Sequence, residues 1–77
     1  MEKKLLEIVN FILIKNNHPI LKTLDKSLNL RDDLGFDSLD LAELTVKIED
    51  SLKVDIFENG FVYTIGDVIK LLVWYFM

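Results

Sequence analysis

Three segments of this 77-residue chain repeat apolar residues at the spacing that places side chains on one face of an α-helix. The first spans residues 3–15, the second residues 37–53, and the third runs from Thr64 to the C-terminal end. No alternation typical of β-strands competes with this pattern, so an all-α fold is predicted. The predicted core residues are Leu5, Ile8, Val9 and Ile12 in the first segment, Leu41, Leu44, Thr45, Ile48 and Leu52 in the second, and Ile65, Val68, Ile69, Leu72 and Phe76 in the third.

The ends of these segments carry helix-capping residues. Asp37 or Ser38 can cap the second helix, and Thr64 with Asp67 has the spacing of a capping pair at the start of the last one. Residues 54–60 suit a single short helix that Gly60 closes, because glycine adopts a left-handed conformation at low cost. The sequence therefore predicts three main helices and one short helix.

Residues 17–35 lack a sustained period but contain scattered apolar side chains. A segment of this length is unusual in a small domain unless its own side chains anchor it or it serves a function, so we predict a long crossover that is pinned to the core. Phe11 and Ile14 fall behind the core stripe of the first helix, and we expect them to pack beneath this crossover, with an exposed apolar surface as the alternative. The predicted fold is an all-α four-helix bundle with a long loop between helices one and two.

The chain contains no cysteine and has a net charge of −4. Neither disulfides nor a thiolate metal site can hold the fold, so a single domain over residues 1–77 must rely on its core. The acidic balance disfavours nucleic-acid binding and favours protein partners with basic patches. The start lacks a signal-peptide cleavage site, and the apolar segment 71–77 is shorter than the ~20 residues that span a bilayer. We expect a cytoplasmic monomer.

The sequence offers no catalytic or metal-binding constellation. His18 is the only histidine, beside Pro19 in the crossover, and no nucleophile is paired with it. Asp32, Asp33 and Asp37 lack the alternating ligands and closing glutamate of a calcium loop. Catalytic triads and phosphate-binding glycine loops are also missing. We therefore predict that the domain is not an enzyme and binds no metal by itself.

Opposite its core stripe, the second helix carries a smaller apolar set with acidic residues around it. Scattered surface apolar residues are common in proteins, and they are the simplest alternative explanation. A small apolar area with an acidic rim is also the make-up of a docking surface. The predicted partner-binding residues are Leu39, Asp40, Ala42, Glu43, Val46, Glu49 and Asp50.

Ser38 lies directly before this face, within the sequence DLGFDSLDLAEL of residues 33–44. A serine at a helix start faces free backbone N–H groups and the positive end of the helix dipole, which tolerate an added anion. The segment resembles the attachment motif of acyl carrier proteins, in which the serine of an Asp-Ser-Leu triplet after Leu-Gly-x receives 4′-phosphopantetheine through a phosphodiester. The resemblance extends over nearly the whole chain, including the order of helices and the Thr-Ile-Gly-Asp that opens the last one.

The resemblance implies that Ser38 carries a covalent 4′-phosphopantetheine arm, which holds acyl groups as thioesters. It further implies a separate phosphopantetheinyl transferase that brings coenzyme A and magnesium, with Asp37 helping to position the metal and the transferase. Partner enzymes of fatty-acid, lipid or polyketide-type biosynthesis would present basic patches to the second helix. Such docking is expected to be weak and salt-sensitive.

Other features bear on the pathway and on alternative functions. Thr45, Lys47 and Ser51 stand where fatty-acid carriers tend to have apolar or acidic residues, which favours a dedicated pathway carrier over housekeeping synthesis. The run from Gly35 to Ser38 differs from the Gly-Gly-x-Ser of many aminoacyl carriers and favours acyl cargo, with a free-standing aminoacyl (D-alanyl-type) carrier as the alternative. A non-covalent helical adaptor, with Ser38 only a cap, is a further alternative. A membrane-surface protein is opposed by the acidic charge.

Overall fold

Three α-helices make up the architecture of the computed structural model, which describes residues 2–53 and 62–76. They are α1 (Glu2–Lys15), α2 (Ser38–Leu52) and α3 (Ile65–Phe76). Within the described ranges there is no strand, only an isolated antiparallel bridge between Asn29 and Thr64. The all-α prediction is confirmed, and the three main helices lie close to their predicted bounds. The short helix predicted over residues 54–60 lies outside the described residues.

The core forms where the apolar stripes of the three helices meet. Burying a large aliphatic side chain contributes roughly 1.5–3 kcal/mol, so these stripes orient α2 with its opposite face outward. Leu41, Thr45 and Leu52 of the predicted α2 stripe are half-buried. The buried apolar residues are Leu5, Ile8, Val9, Ile12 and Leu13 from α1, Leu44 and Ile48 from α2, Ile65, Val68, Ile69 and Leu72 from α3, and Leu30, Leu34, Phe36 and Val62 from the connecting segments.

The expectation that Phe11 and Ile14 pack beneath the crossover is wrong. Phe11 is 50% exposed and Ile14 is 63% exposed. The ring of Phe11 instead lies under the ammonium group of Lys47 on α2, with Nζ 4.2 Å from the ring centroid. Leu13, which lies between Ile12 and Ile14 and was not among the predicted core residues, is instead fully buried in the core.

The segment 16–37 between α1 and α2 contains turns and no helix, and hydrogen bonds attach it to α1 and to the start of α3. The side-chain amide of Asn10 donates to the carbonyl of Leu21 at 2.9 Å and accepts its N–H at 2.8 Å. Farther along, two backbone hydrogen bonds join the segment to the start of α3. The N–H of Leu30 donates to the carbonyl of Tyr63 at 2.8 Å, and the N–H of Ile65 donates to the carbonyl of Leu28 at 3.0 Å.

The predicted capping pair at the start of α3 is confirmed. The N–H of Asp67 donates to the Thr64 hydroxyl, and the N–H of Thr64 donates to the Asp67 carboxylate, both at 3.1 Å. Hydrogen bonds from the N–H groups of Tyr63 and Thr64 hold the pKa of Asp67 below its usual value. This cap fixes the point at which the connecting segment turns into α3.

Candidate functional site

The N-terminus of α2 is closed by a reciprocal capping box between Asp37 and Asp40. The N–H of Asp40 donates to Oδ1 of Asp37 at 2.8 Å, and the N–H of Asp37 donates to Oδ2 of Asp40 at 3.1 Å. Asp37 has an extended backbone with φ −96° and ψ −174°, as expected of an N-cap residue. The predicted alternatives for the cap are thereby resolved in favour of Asp37, and Ser38 is the first helical residue.

The Asp40 carboxylate is held inside the domain. Only 5% of Asp40 is exposed, and its carboxylate also accepts a hydrogen bond from the Asn16 amide at 2.9 Å and lies 3.7 Å from the Lys15 ammonium group. Burial acts to raise its pKa, but the N–H of Asp37, the Asn16 amide and the Lys15 charge together outweigh burial and lower the pKa below its usual value. Asp40 therefore stabilises the start of α2, and the structure places it inside the protein rather than on the outer surface of α2 where it was predicted.

The Ser38 side chain is exposed at this helix start. Its Oγ lies 3.4 Å from Nη2 of Arg31, which approaches from the crossover. The backbone N–H groups of the first helical turn have no carbonyl acceptor within the helix. The cap supplies an acceptor for the N–H of Asp40, and the other N–H groups can bind an anion. Ser38 thus combines accessibility, the positive end of the helix dipole and a neighbouring guanidinium group.

An open groove of about 430 Å³ runs from Ser38 along α2. Its lining is mostly apolar, and the Thr45 hydroxyl within it is turned back to donate to the carbonyl of Leu41 at 2.8 Å. A group attached to Ser38 therefore has a shallow surface beside it on which to lie. The residues that line the groove are Arg31, Ser38, Leu41, Ala42, Thr45 and Val46.

The outer face of α2 is largely where the sequence predicts it. Leu39 is 79% exposed and Val46 is 63% exposed, and Ala42 is exposed between them. Glu49 and Asp50 are also exposed and border a second open cavity of about 460 Å³ with Val46. These five residues form the surface that we call the docking face, after the role that the sequence predicts for it.

Glu43 differs from the other predicted docking residues because it is half-buried and paired. Its carboxylate accepts a hydrogen bond from the Lys15 ammonium group at the end of α1, and this bond, with the nearby Asp40 charge, raises the pKa of Lys15 above its usual value. The pair fastens α1 to α2 at the edge of the docking face. Glu43 is therefore less available to a partner than Glu49 and Asp50.

His18 lies against the turn that leads to Ser38. Gly35 has φ +72°, and a Cβ built on it would lie 3.2 Å from Nε2 of His18. His18 is thereby close to the attachment motif, although the sequence indicates only a loop residue. Among the described residues there is no group of three or more histidine or acidic side chains that could hold a metal ion.

The site residues match a known family. Residues 17–72 match the family model described as the phosphopantetheine attachment site, and this match covers more than half of the chain. The chain belongs to the phosphopantetheine-binding family. No solved structure matches it significantly. Proteins of this family carry a covalently attached 4′-phosphopantetheine group, so the protein is a phosphopantetheine carrier.

The geometry at the start of α2 suits the prosthetic group of the family. Its phosphodiester is an anion, and the helix N-terminus with Arg31 presents hydrogen-bond donors and positive charge beside the exposed Ser38 Oγ. When attached, the group supplies a terminal thiol that holds a carried group as a thioester. Family members serve as carriers and interact with phosphopantetheinyl transferases and with partner enzymes. None of the helices in the described ranges is long and apolar enough to cross a membrane.

Two contributions to the site were missed from the sequence. The Asp37 and Asp40 pair has the capping-box spacing that identified Thr64 and Asp67, so the capping role of Asp40 had a readable signal. Arg31 had none, because it lies seven residues before Ser38 in a segment without a period. Only the fold of the crossover brings its guanidinium group to Ser38.

Proposed function

We propose that Ser38 is the residue to which 4′-phosphopantetheine is attached, and that the protein carries acyl groups as thioesters on this arm. The supporting observation is the exposed Ser38 Oγ at the first position of α2, inside the family match and beside the cap residue Asp37. The described residues supply no base for Ser38, so the hydroxyl is the acceptor in a reaction that a separate transferase catalyses. Asp37 would contribute to the binding of the transferase and its magnesium ion.

The docking face is the surface through which we propose that partner enzymes recognise the carrier. It presents exposed Leu39 and Val46 for apolar contact, and exposed Glu49 and Asp50 for basic patches. Charged contacts at the rim of an interface mainly affect association rates and are screened by salt. Binding through this face should therefore weaken as ionic strength rises.

The cargo that we propose is an acyl group of a dedicated pathway in fatty-acid, lipid or polyketide-type biosynthesis. Gly35 is followed by Phe36, whose side chain is buried in the core. A second glycine at position 36 would therefore lose core packing. This differs from the Gly-Gly-x-Ser typical of many aminoacyl carriers. The protein purified from its own cells, analysed by intact mass before and after hydroxylamine cleavage of thioesters, would identify the cargo. An aminoacyl mass would overturn the acyl assignment.

The attachment site is tested by intact mass after incubation with coenzyme A, magnesium and a phosphopantetheinyl transferase of broad specificity. We expect the wild-type protein to gain one phosphopantetheine group and Ser38→Ala to gain none. Ser27 and Ser51 are the two other serines of the chain, and both are exposed, so Ser27→Ala and Ser51→Ala are matched controls that should still be modified. The proposal would be contradicted if folded Ser38→Ala gained the group. It would also be contradicted if neither the wild type nor any of the three variants gained it.

A further inference from the structure

Arg31 is the residue whose side chain approaches the attachment site from outside α2. Its Nη2 lies 3.4 Å from Ser38 Oγ, and both residues line the same groove. We propose that Arg31 binds the phosphodiester of the attached arm and directs the arm along the groove beside Leu41 and Val46. This inference rests on the proposed attachment at Ser38.

The charge of Arg31 is available for an anion. Within residues 2–53 and 62–76, Arg31 has no carboxylate within salt-bridge distance, whereas Lys15 is engaged with Glu43 and Asp40. The residue directly before Ser38 is acidic, since Asp37 is exposed at the N-cap of α2. A phosphodiester at Ser38 would meet repulsion from the Asp37 carboxylate, and Arg31 is placed to offset it.

The backbone of Arg31 is held in position by its own turn. The side-chain oxygen of Asn29 accepts the N–H groups of Arg31 and Asp32, both at 2.9 Å. The Asp33 carboxylate accepts the N–H of Asn29 at 2.7 Å, and the carbonyl of Arg31 accepts the N–H of Gly35 at 3.0 Å. These bonds fix the distance between Arg31 and the start of α2, so the guanidinium group is presented to the site before the arm is attached.

The chemistry of a guanidinium group suits the two unesterified oxygens of a phosphodiester. Those oxygens lie one bond beyond the phosphorus that Ser38 Oγ would bear, and a group already 3.4 Å from Oγ can reach them without backbone movement. Arginine binds phosphate through two parallel N–H···O bonds, each about 2.7–2.9 Å long. Such a contact restrains the first link of the arm, because the phosphate can no longer rotate freely about Ser38.

The inference is tested by NMR on loaded protein, which carries phosphopantetheine on every molecule. Arg31 is the only arginine of the chain, so its Nε–H gives a single signal in a ¹⁵N-labelled sample. We expect this signal to shift by more than its line width between the unmodified and loaded proteins. We also expect the ³¹P signal of loaded Arg31→Gln to differ from that of loaded wild type, with the difference shrinking at about 1 M salt, where the Debye length is about 3 Å.

Lys22→Gln is the matched control, because it removes one positive charge from an exposed position on the same crossover. Its loaded form should give the wild-type ³¹P signal. An Arg31 signal that stays unchanged on loading, or equal ³¹P signals in wild type and Arg31→Gln, would overturn the inference.

Both readouts are taken on samples whose intact mass shows complete loading. If the protein gains no phosphopantetheine at all, the proposed attachment fails, and that result is distinct from failure of the Arg31 contact.

Discussion

The carboxylates of Asp37 and Asp40 each accept the backbone N–H of the other residue, at 2.8 and 3.1 Å. One of these acids is exposed and the other is buried, although they are three residues apart and flank the same serine. Asp37 adjoins Ser38, where we propose that a transferase binds. Asp40 links the start of α2 to Asn16 and Lys15 at the end of α1. The proposed attachment site is therefore held by a contact between two helices as well as by its own cap.

Replacing Asp40 with asparagine should lower the free energy of unfolding by about 1–3 kcal/mol at neutral pH, because a cap and hydrogen bonds to a buried charge are weakened. Asp50→Asn makes the same charge change at an exposed position and should stay within about 0.5 kcal/mol of wild type. Urea denaturation measures both. Equal stabilities of the two variants would show that the Asp40 carboxylate contributes little.

The Asp40 effect should depend on pH in a defined direction. Its pKa is lowered in the folded protein, so the unfolded chain takes up the proton first as pH falls. The stabilisation is fully present above the ordinary aspartate pKa of about 3.9 and is lost as pH falls through the lowered folded pKa. The stability difference between wild type and Asp40→Asn should be constant above pH ~5 and shrink below pH ~4. A difference that grows on acidification would contradict this assignment.

Gly35→Ala should destabilise the turn before Ser38. The left-handed backbone costs a non-glycine residue about 1–2 kcal/mol, and the new methyl group would press on the His18 ring at 3.2 Å. Combining it with His18→Ala should recover only the steric part of the loss. Urea denaturation of the two single variants and the double variant separates these effects. If the losses of unfolding free energy in the two single variants simply add in the double variant, the His18 ring does not clash with the new methyl group.

Leu39→Ala and Leu44→Ala form a matched pair on α2, because they remove the same atoms from opposite faces. Leu39 is 79% exposed and Leu44 is fully buried. Leu44→Ala should cost about 2–5 kcal/mol of stability, whereas Leu39→Ala should change stability by less than about 0.5 kcal/mol. Thermal unfolding measures this contrast. Leu39→Ala should nevertheless slow modification by the transferase severalfold, and an unchanged rate would exclude Leu39 from the docking face.

Thr64→Ala should cost about 1 kcal/mol by removing the hydroxyl that caps α3. Thr64→Ser keeps the hydroxyl and should retain most of the stability. The two variants are compared by urea denaturation at neutral pH. Equal losses in both would indicate that the Thr64 methyl group, rather than its hydroxyl, stabilises the junction.

The helices were predictable from the sequence because each is defined by a local pattern. Apolar spacing gave the buried positions of α1, from Leu5 to Ile12, and capping residues gave the starts of α2 and α3. The exposure of Phe11 was not predictable, since the sequence does not reveal which side of α1 the crossover covers. The position of the Arg31 side chain beside Ser38 was not predictable either, because it depends on how residues 29–35 turn. Local patterns predict elements, and contacts between distant segments require the fold.

The backbone bonds from Leu30 to Tyr63 and from Ile65 to Leu28 have a consequence for motion around Ser38. Leu30 also accepts the N–H of Phe36 at 2.9 Å, so a continuous set of bonds joins the start of α3 to the residues just before α2. Segments bonded in this way open together in hydrogen exchange. The amides of Leu30, Phe36 and Ile65 should therefore exchange at similar rates. An arm attached at Ser38 would then extend from a point that stays fixed relative to α3, and only the arm and its contact with Arg31 would limit its reach.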